Sequence, residues 1–348
     1  SGRKVSSERS PNMSDTTNRN PDAVADVLTA RSAYNAGLTR SGARGRSWIF
    51  AAGLLIVLIA LPAMQLVGNN NYYLHMALYT LMYVAMAASW NILGGYTGYV
   101  SLGHNVFYCI GGYVSGMILA KMGVSTLITA PLAGLVAAVV GVGVGMITLR
   151  MRGPTFIISS IALLMIVRIL FDNWGYVGGA NGVTLPVTDL DVRWAKVPYY
   201  YGMLVISELP LIGSYWSTQS KLDLEQRAIS QDEVKAESAG INTAAYKIAA
   251  FAMSAFFVGM AGAVWGEYLT YLRPNIYLII LVAAYMVLMC IIGGKGTVAG
   301  PIVGAVLIVA FNEFFAATRG ASEINILATG LIMVLVLALT VSGCGQKG

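Results

Sequence analysis

The residue types that most often perform catalysis or bind metals are scarce in this chain. It contains two histidines, His75 and His104, and three cysteines, Cys109, Cys290 and Cys344. The cysteines have neither the spacing of a zinc site nor that of a disulfide framework, so we interpret them as packing residues. No nucleophile lies near a base at catalytic spacing, and no two carboxylates are paired. We therefore expect neither a metal site nor an enzyme active site.

Two glycine-rich stretches are superficially similar to nucleotide-binding loops. The stretch GKGT at 294–297 lacks the full G-x-x-x-x-G-K-[ST] pattern, and no strand is predicted before it. Gly141, Gly143 and Gly145 lie inside an apolar segment, which excludes the strand–turn–helix context of a dinucleotide site. The sequence therefore predicts no ATP site and no cofactor in this chain.

A third glycine-rich segment, Gly94 to His104, places polar residues where the hydropathy dips between two apolar stretches. Irregular backbone at membrane depth is tolerated where it is buried in protein or lines a wet cavity, and broken helices there supply polar groups to solutes. One hypothesis is a translocation path or a gate beside it. Its candidate residues are Gly95, Thr97, Gly98, Ser101, Gly103 and His104. The alternative is a tight turn at the cytoplasmic surface, with His104 hydrogen-bonded locally.

Ionisable residues inside apolar segments are further candidates, because a charge in lipid is costly. We expect Arg168 to pair with Asp172 or to extend to the interface, and Glu267 and Glu313, near outer helix ends, to reach water. Glu208 lies in the middle of its segment. The helix there either faces a water-filled interior or is broken.

Composition indicates a membrane protein. Hydrophobic residues make up 57% of the 348 residues and charged residues 11%, whereas soluble domains carry about 25% charged residues. Of the net charge of +6, residues 1–47 contribute +4, from eight basic and four acidic residues. This charge indicates a polar basic cytoplasmic tail near anionic lipid, disordered or partly helical, and not a nucleic-acid-binding surface.

Apolar segments of about 20 residues, the length that a helix needs to cross a bilayer, recur along the chain. They are continuous, unlike the alternating strands of a barrel. The predicted fold is an all-α polytopic transmembrane bundle of about ten spans, at 48–341, followed by a tail at 342–348. The candidate spans are Trp48–Val67, Tyr72–Leu93, Val106–Ala120, Leu127–Leu149, Thr155–Phe171, Val197–Trp216, Ala244–Tyr271, Ile276–Ile292, Val298–Ala317 and Ile324–Val341.

Two further patterns refine this bundle. With both termini in the cytoplasm, inner segments hold eleven lysines and arginines and outer segments hold five, as the positive-inside rule requires. Small residues also recur at four-residue spacing, which lets helices approach closely in lipid. The pairs are Gly112 with Gly116, Gly141 with Gly145, Gly262 with Gly266, and Gly300 with Gly304.

The largest polar interruption between spans lies at 217–243. Ser230 is expected to cap a short charged helix there, with Glu233 completing a capping box, and Gly240 suits the end of that helix. A cytoplasmic helix of this kind fits the groove of a partner protein.

The stretch from Asp232 to Asn242 (DEVKAESAGIN) is similar to the coupling helix of the permeases of Liv-type branched-chain amino acid ABC importers. Further stretches resemble the same family over about Trp48 to Val341. They are Asn91–His104, Arg152–Phe156, Asn173-Trp174 with Gly178–Gly182, and Gly293–Pro301.

This resemblance implies that the coupling segment docks on an ATPase. The residues concerned are Asp232, Glu233, Ala236, Glu237, Ala239, Gly240 and Ile241. It also implies three kinds of partner: two P-loop ATPases that bind ATP and Mg, a second permease chain, identical or not, and an extracytoplasmic binding protein. The implied location is the inner membrane of a bacterial or archaeal cell. The outer loop at 175–196 would dock the binding protein, with candidates Gly178, Gly179, Asn181 and Gly182. The expected substrate is a branched-chain amino acid, with urea or a short amide as alternatives.

Two other functions stay open on the sequence. A secondary transporter or channel would work without ATPases and would not need Asp232–Asn242. A non-transporting membrane scaffold is the other, and Glu208 and Pro210, in an otherwise apolar segment, are the features that favour it.

Overall fold

The structure is a computed structural model that describes residues 55–67, 71–186, 191, 194–219, 221–319 and 330. The predicted tails at 1–47 and 342–348, and the tenth predicted span apart from Gly330, lie outside these residues. The chain divides into two compact units, Ser1–Ala63 and Met64–Gly348. In the first unit, residues 55–60 are helical and Leu61–Ala63 form a 3-10 turn. The features below belong to the second unit.

Helices dominate the second unit. They are α1 Met64–Val67, α2 Asn71–Trp90, α3 Asn105–Met122, α4 Thr126–Thr148, α5 Pro154–Asn173, α6 Val197–Gln219, α7 Lys221–Gln231, α8 Glu233–Ser238, α9 Thr243–Leu269, α10 Pro274–Tyr277, α11 Ile280–Gly293 and α12 Gly300–Arg319. Helix α2 continues as a π-helical turn, Asn91–Gly95. Two short antiparallel strands, β1 Val183–Thr184 and β2 Tyr271–Leu272, pair Val183 with Leu272. The predicted all-α class is confirmed.

Five helices in the described part of the chain are long and apolar enough to cross a membrane. They are Asn71–Gly95, Thr126–Thr148, Pro154–Asn173, Thr243–Leu269 and Pro274–Gly293. The predicted spans at 106–120 and 197–216 are helices but are not among these five, and the span at 298–317 corresponds to a shorter apolar helix, Gly300–Phe314. The chain is therefore a polytopic helical membrane protein, and the count of ten stays a prediction.

Contacts between the loops define two ends of the second unit, which we name by the predicted orientation. The inner end carries α7, α8 and the loops at 96–104, 149–153 and 294–299, and the outer end carries the loops at 123–125, 174–186 and 270–273. Helix α6 is unbroken from Val197 to Gln219 with Pro210 inside it. Of the alternatives for Glu208, a broken helix is therefore wrong, and Glu208 is half-buried.

Helix α9 is the centre of the bundle. It packs most extensively against α4 and α3, and also against α2 and α6. All residues from Val258 to Glu267 are buried. Small residues make this packing possible, because a Cβ added to Gly111 would overlap the backbone of Gly259 in α9. Lipid supplies no hydrophobic drive for helix association, so close backbone approach is what holds such helices together.

The predicted glycine pairs lie at such contacts. A Cβ on Gly112 would be 3.1 Å from the carbonyl oxygen of Gly262. A Cβ on Gly304 in α12 would overlap the Met289 carbonyl in α11. The interpretation of these pairs as packing positions is confirmed.

Substituting Gly134 in α4 should destabilise the bundle. A Cβ there would lie 2.7 Å from Met260 and 2.8 Å from the Phe256 carbonyl oxygen, both in α9, whereas nothing lies within 4 Å of a Cβ on Gly143 in the same helix. We expect Gly134→Leu to lower the free energy of unfolding by about 1–3 kcal/mol, and Gly143→Leu to leave it nearly unchanged. Thermal unfolding in detergent measures both. Equal effects of the two substitutions would contradict the packing of α4 on α9.

Candidate functional site

The segment from Asp232 to Asn242, which we call the coupling segment, is a short helix with well-formed ends. Asp232 has extended backbone (φ −159°), and its carboxylate oxygen Oδ1 accepts hydrogen bonds of 3.1 Å from the N–H groups of Val234 and Lys235. Gly240 has a φ of +86°. The Ile241 N–H donates to the Ala236 carbonyl at 3.1 Å, and the Gly240 N–H donates to the Glu237 carbonyl at 2.9 Å. These two bonds form a Schellman motif, which ends the helix at the glycine.

The predicted cap was misplaced. Ser230 lies inside α7, which ends at Gln231, and Asp232 is the N-cap of α8. Asp232 takes this role because its extended backbone directs the carboxylate at the first free N–H groups of the helix. Glu233 makes no capping box and turns its side chain toward the membrane bundle.

Glu233 joins the coupling segment to the central helix. Its carboxylate accepts a hydrogen bond of 2.6 Å from Nζ of Lys247, in the second turn of α9, and one from the Tyr99 hydroxyl. Nε of Arg152 lies 3.3 Å from the same carboxylate. Lys247 is only 3% exposed. Its other two donors reach the Tyr99 hydroxyl and the Leu149 carbonyl, each at 3.2 Å.

We call these four residues, Tyr99, Arg152, Glu233 and Lys247, the inner cluster. Burial by itself raises the pKa of the Glu233 carboxyl, but the hydrogen bonds from Lys247 and Tyr99 and the charges of Lys247 and Arg152 hold that pKa below its ordinary value. Burial and the hydrogen bond to Glu233 raise the pKa of the Tyr99 hydroxyl. At neutral pH the cluster therefore contains an ionised carboxylate that accepts hydrogen bonds from Lys247 and from a neutral phenol and forms an ion pair with Arg152.

A second set of contacts extends the attachment. Nη2 of Arg152 donates to Oε1 of Glu237 at 3.0 Å, and the Thr243 hydroxyl donates to the same oxygen at 2.8 Å. Ala236 is buried between these polar contacts. The opposite face of the segment is open, since Val234 is 58% exposed and Ser238, Ala239 and Gly240 are also exposed. The coupling segment is thus fixed on one face and available on the other.

The glycine-rich segment from Gly94 to His104 lies against α9. Thr97, Ser101 and His104 are fully buried. Nε2 of His104 is 2.9 Å from the Ser254 hydroxyl oxygen, and that hydroxyl donates to the Ser89 carbonyl at 2.7 Å. Because the Ser254 hydroxyl already donates its proton to the Ser89 carbonyl, it must accept from His104, which therefore donates through Nε2. The expected local hydrogen bond of His104 is wrong, because its partner Ser254 lies 150 positions further along the chain.

Among the predicted path residues, Gly103 is buried as well, whereas Gly95 and Gly98 are half-buried, and Gly98 has a φ of +82° beside Ser230 of α7. The side chain of Asn91 also joins this segment to the turn at 294–297. Its Nδ2 donates to the Thr297 carbonyl at 2.9 Å, and its Oδ1 accepts from the Gly296 N–H at 3.0 Å. A gate or path at these residues stays a prediction.

The predicted outer-loop residues form a compact turn. Gly178, Gly179 and Gly182 have positive φ values of 82°, 53° and 75°. The Tyr271 hydroxyl donates to the Asn181 carbonyl at 2.5 Å, and Nε of Arg273 donates to the Ala180 carbonyl at 3.2 Å. Together with the β1–β2 pairing, these bonds attach the loop to the outer end of α9.

Two charged residues in the helices behave differently from each other. Arg168 pairs with Asp172 at 3.8 Å, as expected. The expectation that Glu267 reaches water is wrong, because Glu267 is 4% exposed. Its carboxylate accepts from the Thr126 N–H at 2.8 Å and from the Tyr199 hydroxyl at 3.3 Å. A carboxylate at the N-terminus of α4 is stabilised by the unpaired N–H groups of that helix, so Glu267 needs no water.

Sequence reasoning missed the partners of Glu233. Lys247 was counted only among the inner positive charges, although a lysine inside an apolar span is itself a signal of a buried partner. The structure brings together Tyr99, Arg152 and Glu233, which lie in three of the stretches that carry the family resemblance. In the described part of the chain, no group of three or more histidine, cysteine, aspartate or glutamate side chains could hold a metal ion.

The fold and the inner cluster define a polytopic helical membrane protein with a structured, partly exposed helix fixed to its inner end. A family model described as "Branched-chain amino acid transport system / permease component" matches residues 72–337. The chain belongs to this permease family.

Two groups of relatives match the chain. The permease protein LivM of the high-affinity branched-chain amino acid transport system of Salmonella typhimurium is 27% identical over 325 residues, covering 85% of this chain and 74% of the relative. LivM of Escherichia coli is 26% identical over 323 residues, with the same coverage. LivH of Escherichia coli is 23% identical over 281 residues, covering 75% of this chain and 90% of the relative. No solved structure matches significantly.

Removing either member of the Glu233–Lys247 pair should destabilise the protein by different amounts. Glu233→Gln leaves a buried ammonium with neutral partners and is expected to cost on the order of 3 kcal/mol. Lys247→Met leaves Glu233 with Arg152 and Tyr99 and should cost less. The double variant should be more stable than the sum of the two effects predicts. Unfolding in detergent measures this double-mutant cycle, and strictly additive losses would contradict a direct interaction.

The stabilisation by Glu233 should depend on pH in one direction. Its folded-state pKa is lowered from an ordinary value of 4.5, so the ionised carboxylate contributes fully above that value. The contribution is lost as the pH falls through the lowered pKa. We expect the difference in melting temperature between the parent and Glu233→Gln to be constant near neutral pH and to shrink below about pH 4.5. A difference that persists unchanged to about pH 3 is the contrary result.

Proposed function

We propose that this chain is a membrane-spanning permease subunit of an ATP-driven importer that carries branched-chain amino acids across the inner membrane. The observation that carries the proposal is the coupling segment. It is fixed on one face to the central helix by Glu233 and Lys247 and open on the other face around Val234. When a bound partner changes conformation, a helix held in this way can transmit that change to the bundle as a rigid-body movement.

The surroundings of the coupling segment support docking of a protein partner. Two clefts of about 470 and 450 Å³ flank it. One lies between the loop at 97–100, the start of α5 and residues 229–233, and the other lies between the end of α4, Glu237 and the start of α9. A helix between two clefts presents the shape that interlocks with a grooved partner surface.

Membership of the permease family and the resemblance of the coupling segment support a set of partners. We propose that two P-loop ATPases dock on Asp232–Ile241 and bind ATP and Mg, so that this chain is not an enzyme and needs no cofactor. A second permease chain, identical or different, would complete the pathway. An extracytoplasmic binding protein would deliver the substrate to the outer loop that contains Gly178–Gly182, which is attached to α9 through β2.

The substrate proposal rests on the relatives, whose names specify branched-chain amino acids. The chain itself supports a small neutral or zwitterionic solute, because only 11% of its residues are charged. Urea and short amides are also small and neutral. Competition of each solute with the uptake of labelled leucine separates the three substrate classes.

A charge on the open face of the coupling segment should release the ATPases. Val234 is exposed and its side chain is not needed for the inner cluster. We expect ATPase subunits to co-purify in mild detergent with the tagged parent and with the control Val234→Ala, and to be lost from Val234→Arg. Size-exclusion profiles of the three proteins establish that each is folded. Retention of the ATPases by Val234→Arg would place their docking surface elsewhere, and their absence from the parent would favour a stand-alone transporter.

A further inference from the structure

The outer halves of two helices bring a group of polar aromatic rings together. His75 and Tyr79 lie one turn apart on α2, and Trp265 and Tyr268 lie near the outer end of α9. Centroid distances are 6.3 Å from His75 to Tyr79, 5.7 Å from Tyr79 to Trp265, 5.2 Å from Trp265 to Tyr268 and 5.7 Å from Tyr268 back to His75. Nδ1 of His75 and the Tyr268 hydroxyl are hydrogen-bonded. We call these four residues the outer aromatic group.

The outer aromatic group continues inward. Tyr83, one turn below Tyr79, lies 4.9 Å from it and 6.1 Å from Tyr285 of α11. His75, Tyr79 and Tyr268 are half-buried, whereas Tyr83, Tyr285 and Trp265 are buried. The exposed fraction of these side chains therefore falls from the outer end toward the middle of the membrane.

Half-exposed imidazole and phenol groups within membrane-spanning segments are poorly matched to lipid, which offers them no hydrogen-bond partner. Polar side chains at such positions typically face a bundle interior or a water-filled path. Aromatic faces are also well suited to a solute that has both an apolar side chain and an ammonium group, because they pack against the first and attract the second.

Two opposite charges lie at the outer edge of this group. Nζ of Lys196 donates to the Asn71 carbonyl at 3.2 Å, and the Tyr72 hydroxyl donates to the Glu313 carboxylate. The two charges thus contact consecutive residues at the start of α2, one turn from His75. A cation and an anion that contact neighbouring residues of α2, next to aromatic faces, match the carboxylate and the ammonium of a zwitterion.

We propose that His75, Tyr79 and Tyr268, with Lys196 and Glu313, form an outer subsite that receives a zwitterionic α-amino acid. This proposal rests on the importer function above. Lys196 binds the carboxylate, while Glu313 and the rings of Tyr79 and Tyr268 bind the ammonium. The solute's side chain packs along the rings toward Tyr83. Lys196 can do this because the Asn71 carbonyl occupies one of its three donors.

The test measures leucine uptake by the full complex in proteoliposomes, together with competition by leucinamide, which lacks the carboxylate. We expect Tyr79→Leu to raise the KM for leucine about fivefold to tenfold, and Tyr79→Phe, which keeps the ring, to change it less than about twofold. Lys196→Gln should raise the KM for leucine and bring leucinamide close to leucine as a competitor. A purely structural role of Lys196 would weaken both solutes equally.

Tyr73→Leu is the matched control, because Tyr73 is 59% exposed on another face of the same helix. It should leave the KM unchanged. An unchanged KM in both Tyr79→Leu and Lys196→Gln overturns the subsite while the importer function stands. If the parent complex holds its ATPases but imports no amino acid, the proposed substrate fails and the subsite fails with it. If Tyr79→Leu does not fold, the competition result for Lys196→Gln decides the proposal.

Discussion

A lysine that is 3% exposed at the inner end of a membrane helix must find all its partners within the protein. Lys247 does so through the Glu233 carboxylate, the Tyr99 hydroxyl and the Leu149 carbonyl. Each partner comes from a different inner connection, so satisfying one charge fixes three chain segments relative to α9. The coupling segment is therefore fixed in position relative to α9. Its position is determined by the free-energy cost of leaving the Lys247 ammonium without a partner.

Helix α9 carries this constraint across the membrane. Lys247 and Glu267 are twenty positions apart, which at about 1.5 Å per residue is roughly 30 Å, close to the thickness of the hydrocarbon core. Ser254 lies between them and bonds to His104 and to the Ser89 carbonyl. At the outer end, Glu267 holds the start of α4, and β2 holds the outer loop. One rigid helix thus contacts both the surface proposed for the ATPases and the surface proposed for the binding protein.

The sequence predicted the parts of this arrangement that depend on local pattern. Apolar length predicted the helices, four-residue spacing predicted the close contacts of α9 and α12, and Gly240 predicted the end of the coupling helix. It failed where a side chain finds a partner far along the chain. Glu233 and Lys247 are 14 positions apart, and Thr126 and Glu267 are 141 apart. Such pairs depend on how the helices pack, and a single sequence contains no signal of which distant group approaches. The cap at Asp232 was missed for a smaller reason, since several residues nearby could serve equally well in isolation.

The central claim is that the coupling segment and α9 move as one body. Pulsed electron paramagnetic resonance on the assembled complex tests it, with spin labels on K235C, whose parent side chain is 85% exposed, and L269C, in a background whose native cysteines have been replaced and whose ATPases still co-purify. The account predicts one narrow distance distribution that is the same with and without ATP, and a broader one when Lys247→Met is added. A distance that shifts with ATP in the parent, or a distribution that Lys247→Met leaves unchanged, would contradict the claim.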